Sequence, residues 1–98
     1  MAYVLVLLER GPNAGDKELH QAAHADFIDS LIERHAILLG GSFGEDVGEA
    51  DGAYVLRCAG VEEAQAIAAG DPLVVNGAAR ARCVEWDLVG IDPEAVDS

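Results

Sequence analysis

His20 and His24 are the residues whose type and spacing first suggest chemistry. Four residues apart in a helix, two imidazoles stack on one face. At about 100° per residue, His20, His24, Phe27, Ile28, Leu31 and His35 share one stripe, with Asp26, Asp29 and Glu33 roughly opposite. The histidines therefore fall on the apolar, core-facing side of an amphipathic helix, where a titratable group needs a partner. Asp71 is the candidate. A carboxylate on one imidazole nitrogen fixes the tautomer, stabilises the imidazolium and leaves the other nitrogen for proton transfer. Gly40 and Gly41 would let backbone approach a ligand closely, and Ser42 adds a hydroxyl. The same residues have plainer uses: a core histidine satisfied by any acceptor, a turn aspartate before Pro72, glycines that end a strand.

His20-Gln21-Ala22-Ala23-His24 also mimics the helix motif of zinc proteases. Gln21 stands where the catalytic Glu would be, so that mechanism lacks its base. Asp71 is available as a third ligand in a simple metal site, but the expectation is neither metal nor cofactor.

The elements that must position these residues follow from apolar patterning. Ala2 to Leu8 is a continuous apolar run, short enough for a strand buried on both faces. A loop through Gly11-Pro12-Asn13-Ala14-Gly15 leads to Asp16, a plausible N-cap, and a helix to about His35, ~30 Å long. Ala36 to Leu39 reads as a second strand, closing in Gly40-Gly41-Ser42. The acidic, glycine-rich stretch from Gly44 to Gly52 suits a hairpin loop. Ala53 to Cys58 is a third strand, and Val61 to Ala69 a second helix stopped by Gly70. After Asp71-Pro72 and a connecting segment to Gly77, Arg80 to Val89 forms the last strand, with Val84, Trp86 and Leu88 alternating against Glu85 and Asp87. Trp86 is expected in the core, and His35 as a partner of the helix C-terminal dipole. Residues 1–90 make one domain and 91–98 a polar, frayed tail.

The order β-α-β-β-α-β predicts an α+β, ferredoxin-like fold: a four-stranded antiparallel sheet of order 4-1-3-2 with two helices on one face. The first strand is apolar on both faces, so the uncovered face calls for a second copy, a homodimer packed sheet to sheet. In this topology the start of helix one, the end of strand two and the end of helix two meet at one end of the sheet. His20, His24, Gly40, Gly41, Ser42 and Asp71 converge there.

Bulk properties exclude several classes. Ninety-eight residues, 51% hydrophobic, make a single folded core. A net charge of −12, eighteen acidic residues against six basic, repels nucleic acid and anionic membrane surfaces. Arg57, Arg80 and Arg82 read as surface charges on strand segments. The first apolar run is far short of a ~20-residue span and has no basic leader, which reads as neither signal nor anchor and as a cytoplasmic protein. Cys58 and Cys83 sit on strands two steps apart, ~10 Å, too far for a disulfide.

The apolar first strand, Ala23-His24, Leu38-Leu39-Gly40-Gly41, Val61-Glu62-Glu63-Ala64, Gly70-Asp71-Pro72-Leu73 and Val84-Glu85-Trp86 together resemble the YCII-related (YciI-like) family, over residues 2 to 89. The resemblance implies a dimeric α+β barrel whose His-Asp pair lines a small pocket and serves acid-base catalysis; the matching positions are His24 and Asp71. It also implies a substrate lead, since one member type is linked to dehydrochlorination of a hydroxylated aromatic ring. Related barrels act on small aromatic or lactone compounds without a cofactor. Two departures stand out: Gln21 where many relatives carry arginine, and Gly41-Ser42 where alanine and proline are frequent.

Two main readings follow. The first is a cofactor-free, lyase- or isomerase-like enzyme with catalytic His24 and Asp71, and with His20 at the pocket mouth and Gly40, Gly41 and Ser42 contacting a small-molecule substrate. The second is a dimeric accessory module that holds a small molecule without transforming it.

Overall fold

Alternation along Ala2–Arg10 (β1) buries Val4, Val6 and Leu8 on one side and leaves Tyr3, Leu5 and Leu7 half-buried on the other. The computed structural model describes residues 1–45 and 47–95. In it β1 lies inside a four-stranded antiparallel sheet with Ile37–Ser42 (β2), Ala50–Cys58 (β3) and Ala79–Glu85 (β4). The order is β2-β3-β1-β4, the expected 4-1-3-2 read from the opposite edge. Val6 is flanked by Tyr54 on β3 and Cys83 on β4.

Helices Gln21–Glu33 (α1) and Val61–Ala68 (α2) pack on the face that carries Val4, Val6, Leu8, Tyr54, Leu56 and Cys58. Leu31 from α1, Ala64 and Ala68 from α2, and Leu73 complete this core. Each large aliphatic side chain buried there contributes about 1.5–3 kcal/mol. On the other face, Leu39, Val84 and Trp86 are 59%, 49% and 48% exposed.

The long first helix is not continuous. Ala14–His20 winds as a 3-10 helix, and α1 begins only at Gln21, so Asp16 caps no α-helix. The cause is a tether from a distant segment. Asn13 N–H donates to Gly77 O and its side-chain amide to Asn76 O. The chain leaves this tie through i→i+3 bonds, Ala14 N–H to Gly11 O and Asp16 N–H to Asn13 O, and keeps that winding. Gly77, at φ 75°, supplies the left-handed turn that receives Asn13. At the far end of α1, His35 adopts φ 56°, a left-handed residue that turns the chain into β2.

Trp86 is not a core residue. The strand positions of β4 that face the helices are the small residues Ala79, Ala81 and Cys83, so Val84 and Trp86 point to the open face. One further ladder bond, Trp86 N–H to Tyr3 O, extends the pairing past Glu85. The connecting segment after Asp71 contains a short helix, Pro72–Val75 (α3). Pro93–Ala95 form a 3-10 turn, and positions 96–98 of the expected tail, like Asp46 of the expected hairpin loop, lie outside the described residues.

Candidate functional site

The side chains at the start of α1 and those at the end of α2 meet as the topology requires. Asp71 follows α2 and is fully buried, the one buried charged residue among those described. Its carboxylate Oδ1 accepts the Leu73 N–H at 2.9 Å, capping α3, with Pro72 in the first helical position. The same carboxylate receives His24 across 47 residues of sequence: Nδ1 lies 2.9 Å from Oδ1 and 2.9 Å from Oδ2. The His24 side chain is 20% exposed and lines a cavity of about 420 Å³, within the usual size range of small-molecule sites, ~300–1,000 Å³.

In this arrangement neutral His24 donates Nδ1–H to Asp71, which leaves Nε2 as the acceptor. Nε2 has no hydrogen-bond partner among the described residues. The imidazole is thus held in one tautomer by a buried carboxylate, with its second nitrogen unengaged, the requirement for a general base.

Four further features shape the cavity. Gly40 faces Tyr54 across the β2–β3 ladder, and a Cβ at Gly40 would stand 2.8 Å from Tyr54 Cβ, so only glycine keeps this wall open. Gly41 and Ser42 continue the wall; nothing lies within 4 Å of a Cβ at Gly41. Tyr54 lines the cavity, and its hydroxyl is buried with no hydrogen-bond partner among the described residues. Burial first, then the nearby negative charge of Asp71, then Cys83, push the ionisation of this phenol well above the ordinary tyrosine range. Finally, Lys17 Nζ stands 3.9 Å from Asp51 Oδ2, both residues lining the cavity.

Of the residues singled out in the sequence, His24, Gly40, Gly41 and Ser42 line the cavity, and Asp71 stands behind His24. His20 does not line it. His20 ends the 3-10 segment and precedes α1 with φ −114° and ψ 5°, off helical geometry at the junction of the two. Lys17 and Gln21 occupy the place expected of it. Among the described residues no three His, Cys, Asp or Glu side chains group as metal ligands. Cys58 and Cys83 are free thiols outside the cavity, and burial pushes the Cys83 thiol up.

Lys17, Tyr54 and the isoleucines of the wall were missed in the sequence, though a signal was there. Lys17, Gln21, His24, Ile28 and Ile32 follow one another at intervals of three or four, a helical row beside the one centred on Leu31.

A family model described as the YCII-related domain matches residues 1–87. An uncharacterised protein of Bacillus subtilis (strain 168), YjpA, is 36% identical over 69 residues, covering 70% of this chain and 78% of that protein. Among solved structures, 5-chloro-2-hydroxyhydroquinone dehydrochlorinase (TftG) from Burkholderia phenoliruptrix AC1100, in complex with 2,5-dihydroxybenzoquinone, superposes with a TM-score of 0.67. That match covers 87% of this chain and 93% of the other at 18% identity, a likeness of fold.

Proposed function

The chain belongs to the YCII-related family, and from that premise we propose that it is a cofactor-free acid/base enzyme, lyase- or isomerase-like, acting on a small organic molecule of aromatic or lactone type. The observation that carries this reading is the 2.9 Å pairing of His24 Nδ1 with the buried carboxylate of Asp71 at the wall of a cavity. His24 Nε2 takes a proton from the substrate, and Asp71 balances the imidazolium that results. The electron pair released then expels a leaving group as an anion, in elimination, or shifts to a neighbouring carbonyl and is reprotonated by the same imidazolium elsewhere, in isomerisation. One positioned group of this kind is worth about 10²–10⁴ in rate, enough for an activated substrate. A family-fold neighbour that is a dehydrochlorinase and binds a dihydroxybenzoquinone supports the substrate class.

The working form in this proposal is a homodimer. Leu39, Val84 and Trp86 are each about half exposed on the sheet face away from the helices, and a second copy of the same face would cover them. A cytoplasmic setting fits the two free thiols. No helix among the described residues is long and apolar enough to cross a membrane, and the charge of −12 disfavours a nucleic-acid partner.

The mostly aliphatic wall of Leu8, Ile28, Ile32, Ile37 and Leu38 favours, as a second reading, a module that binds a small molecule without converting it. One experiment separates the two. Purified protein is screened for turnover against halogenated hydroxyaromatics and small lactones, alongside His24→Ala, with binding followed by NMR. Turnover in the wild type that vanishes in His24→Ala, with sedimentation unchanged, supports the enzyme. Turnover retained in the variant ends it, and binding by both proteins without turnover by either establishes the module.

A further inference from the structure

The cavity is graded from one end to the other. Along its helical wall the row Lys17, Gln21, His24, Ile28, Ile32 runs from charged, through amide and imidazole, to aliphatic. The reversal through Arg34–Ala36 sends β2 back along α1 and lays the same gradient on the facing wall. Ile37 and Leu38 stand beside the aliphatic end of the row, while Ser42, paired with Gly52, brings Asp51 to the charged end. His24 lies between the two ends.

Among the described residues Lys17 is the only lysine or arginine in the lining, in a chain that has six such residues against eighteen acidic ones. Its partner Asp51 is held at 3.9 Å, and the side chains are 36% and 28% exposed. A pair this long and this wet contributes little, so a competing oxygen displaces it readily. No such competitor exists for the apolar end, where only hydrocarbon can replace water favourably.

We propose that the site takes a small organic anion in one orientation. Its acidic oxygen, a carboxylate, phenolate or enolate, replaces Asp51 on Lys17 Nζ, and its apolar body lies along Ile28 and Ile32. The carbons between head and body then pass His24, which selects the position where a proton is exchanged. The proposal rests on the acid/base reading only for what happens at His24; the binding orientation stands or falls separately.

The test uses matched pairs of ligands that differ only in charge, phenylacetate with phenylacetamide and 4-phenylbutanoate with 4-phenylbutanamide, titrated at low salt into wild type, Lys17→Gln, Asp51→Asn and His24→Ala. Lys17 and Asp51 are partly exposed, so their variants are expected to fold, as a melting curve will show. In the wild type each acid should bind about tenfold tighter than its amide, the worth of one charge-assisted hydrogen bond. The longer acid should bind more tightly than the shorter, by up to about fourfold for each methylene it buries. Lys17→Gln should bring acid and amide to near equality, and Asp51→Asn should strengthen the acids alone. Equal binding of acid and amide by the wild type, an acid preference that survives Lys17→Gln, or no saturable binding of either acid would each overturn the proposal. In His24→Ala the acid preference should persist. If it persists while that variant also retains turnover, the acid/base reading fails and the orientation stands. If it is missing from the wild type while turnover still depends on His24, the reverse holds.

Discussion

His24 Nδ1 lies 2.9 Å from both carboxylate oxygens of Asp71, and one of those oxygens, Oδ1, is also the N-cap acceptor for Leu73 N–H. The group that would orient the base is therefore pinned by backbone. Pro72 presets the first turn of α3, that turn fixes the Leu73 N–H, and the N–H fixes the carboxylate. The imidazole inherits its position from this chain of contacts, with no flexible link between the cap and the ring.

Asp71→Asn tests that chain without emptying the site. Asparagine keeps its oxygen for the Leu73 N–H, so the cap survives, but it then offers His24 an N–H where it had offered an oxygen. His24 must accept through Nδ1 and carry its proton on Nε2. Nitrogen-15 NMR of the ring should report the Nδ1–H tautomer in wild type and the Nε2–H tautomer in the variant. Turnover should fall by about 10²–10⁴ with little change in melting temperature. Asp71→Ala, in contrast, should also lose about 1 kcal/mol of stability with the cap. An unchanged tautomer in Asp71→Asn would show that the pair does not set it.

Tyr54→Phe should stabilise the protein. The phenol hydroxyl is buried with no partner in the described structure, and an unsatisfied buried hydroxyl costs about 1–3 kcal/mol. The pH dependence has a definite sign. The folded state raises the ionisation of Tyr54 above its ordinary value, so it holds the proton more tightly than the unfolded chain does. The associated stability is whole below the unfolded tyrosine value of ~10 and is lost as pH climbs above it. Urea denaturation of both proteins at mildly alkaline pH and again above ~10 should show the gap widening in favour of the variant. A Tyr54→Phe protein that is less stable at mildly alkaline pH would mean that the hydroxyl is satisfied, most simply by an ordered water.

Gly40 and Gly41 should respond in opposite ways to alanine. At Gly40 the new Cβ meets Tyr54 Cβ at 2.8 Å, across a ladder that neither strand can leave. Overpacking of this kind costs about 1–3 kcal/mol. At Gly41 nothing lies within 4 Å and φ is not left-handed, so alanine is tolerated and gains up to ~1 kcal/mol by restricting the unfolded chain. Chemical denaturation of the two variants checks both. Equal effects would mean that the Gly40–Tyr54 contact is not the constraint on this wall.

How much of this could be read from the sequence depends on how far each feature's cause lies along the chain. The strands and the sheet order follow from local apolar runs and turn residues, and from that order the ends of α1 and α2 must adjoin, which is why His24 and Asp71 could be named together. The 3-10 winding of Ala14–His20 could not, because its cause is the tie of Asn13 to Asn76 and Gly77, more than sixty residues away. His20 stands where that segment gives way to α1 and does not line the cavity. Asp71-Pro72 reads as a turn in isolation; that it also caps a four-residue helix depends on Leu73 packing into the core. Trp86 reads as a core residue when large apolar residues are assigned inward, whereas the inward positions of β4 hold alanines and a cysteine under the helices.

That last reversal makes the open face a place to test the dimer. Val84 pairs with Leu5 in the β1–β4 register and is 49% exposed, with Trp86 and Leu39 on the same face. Val84→Asp leaves the helix-side core untouched, since none of the core side chains is altered. In a sheet-to-sheet dimer the new carboxylates would be buried without partners, each at a cost of several kcal/mol. Sedimentation equilibrium should therefore give twice the 10.2 kDa chain mass for wild type and the single chain mass for Val84→Asp. The circular dichroism of the variant should match the wild type at high concentration, so that dissociation is separable from unfolding. A wild type that sediments as one chain would leave Leu39, Val84 and Trp86 as solvent-exposed surface and remove the homodimer from the proposed function. A variant that remains dimeric would place the interface elsewhere.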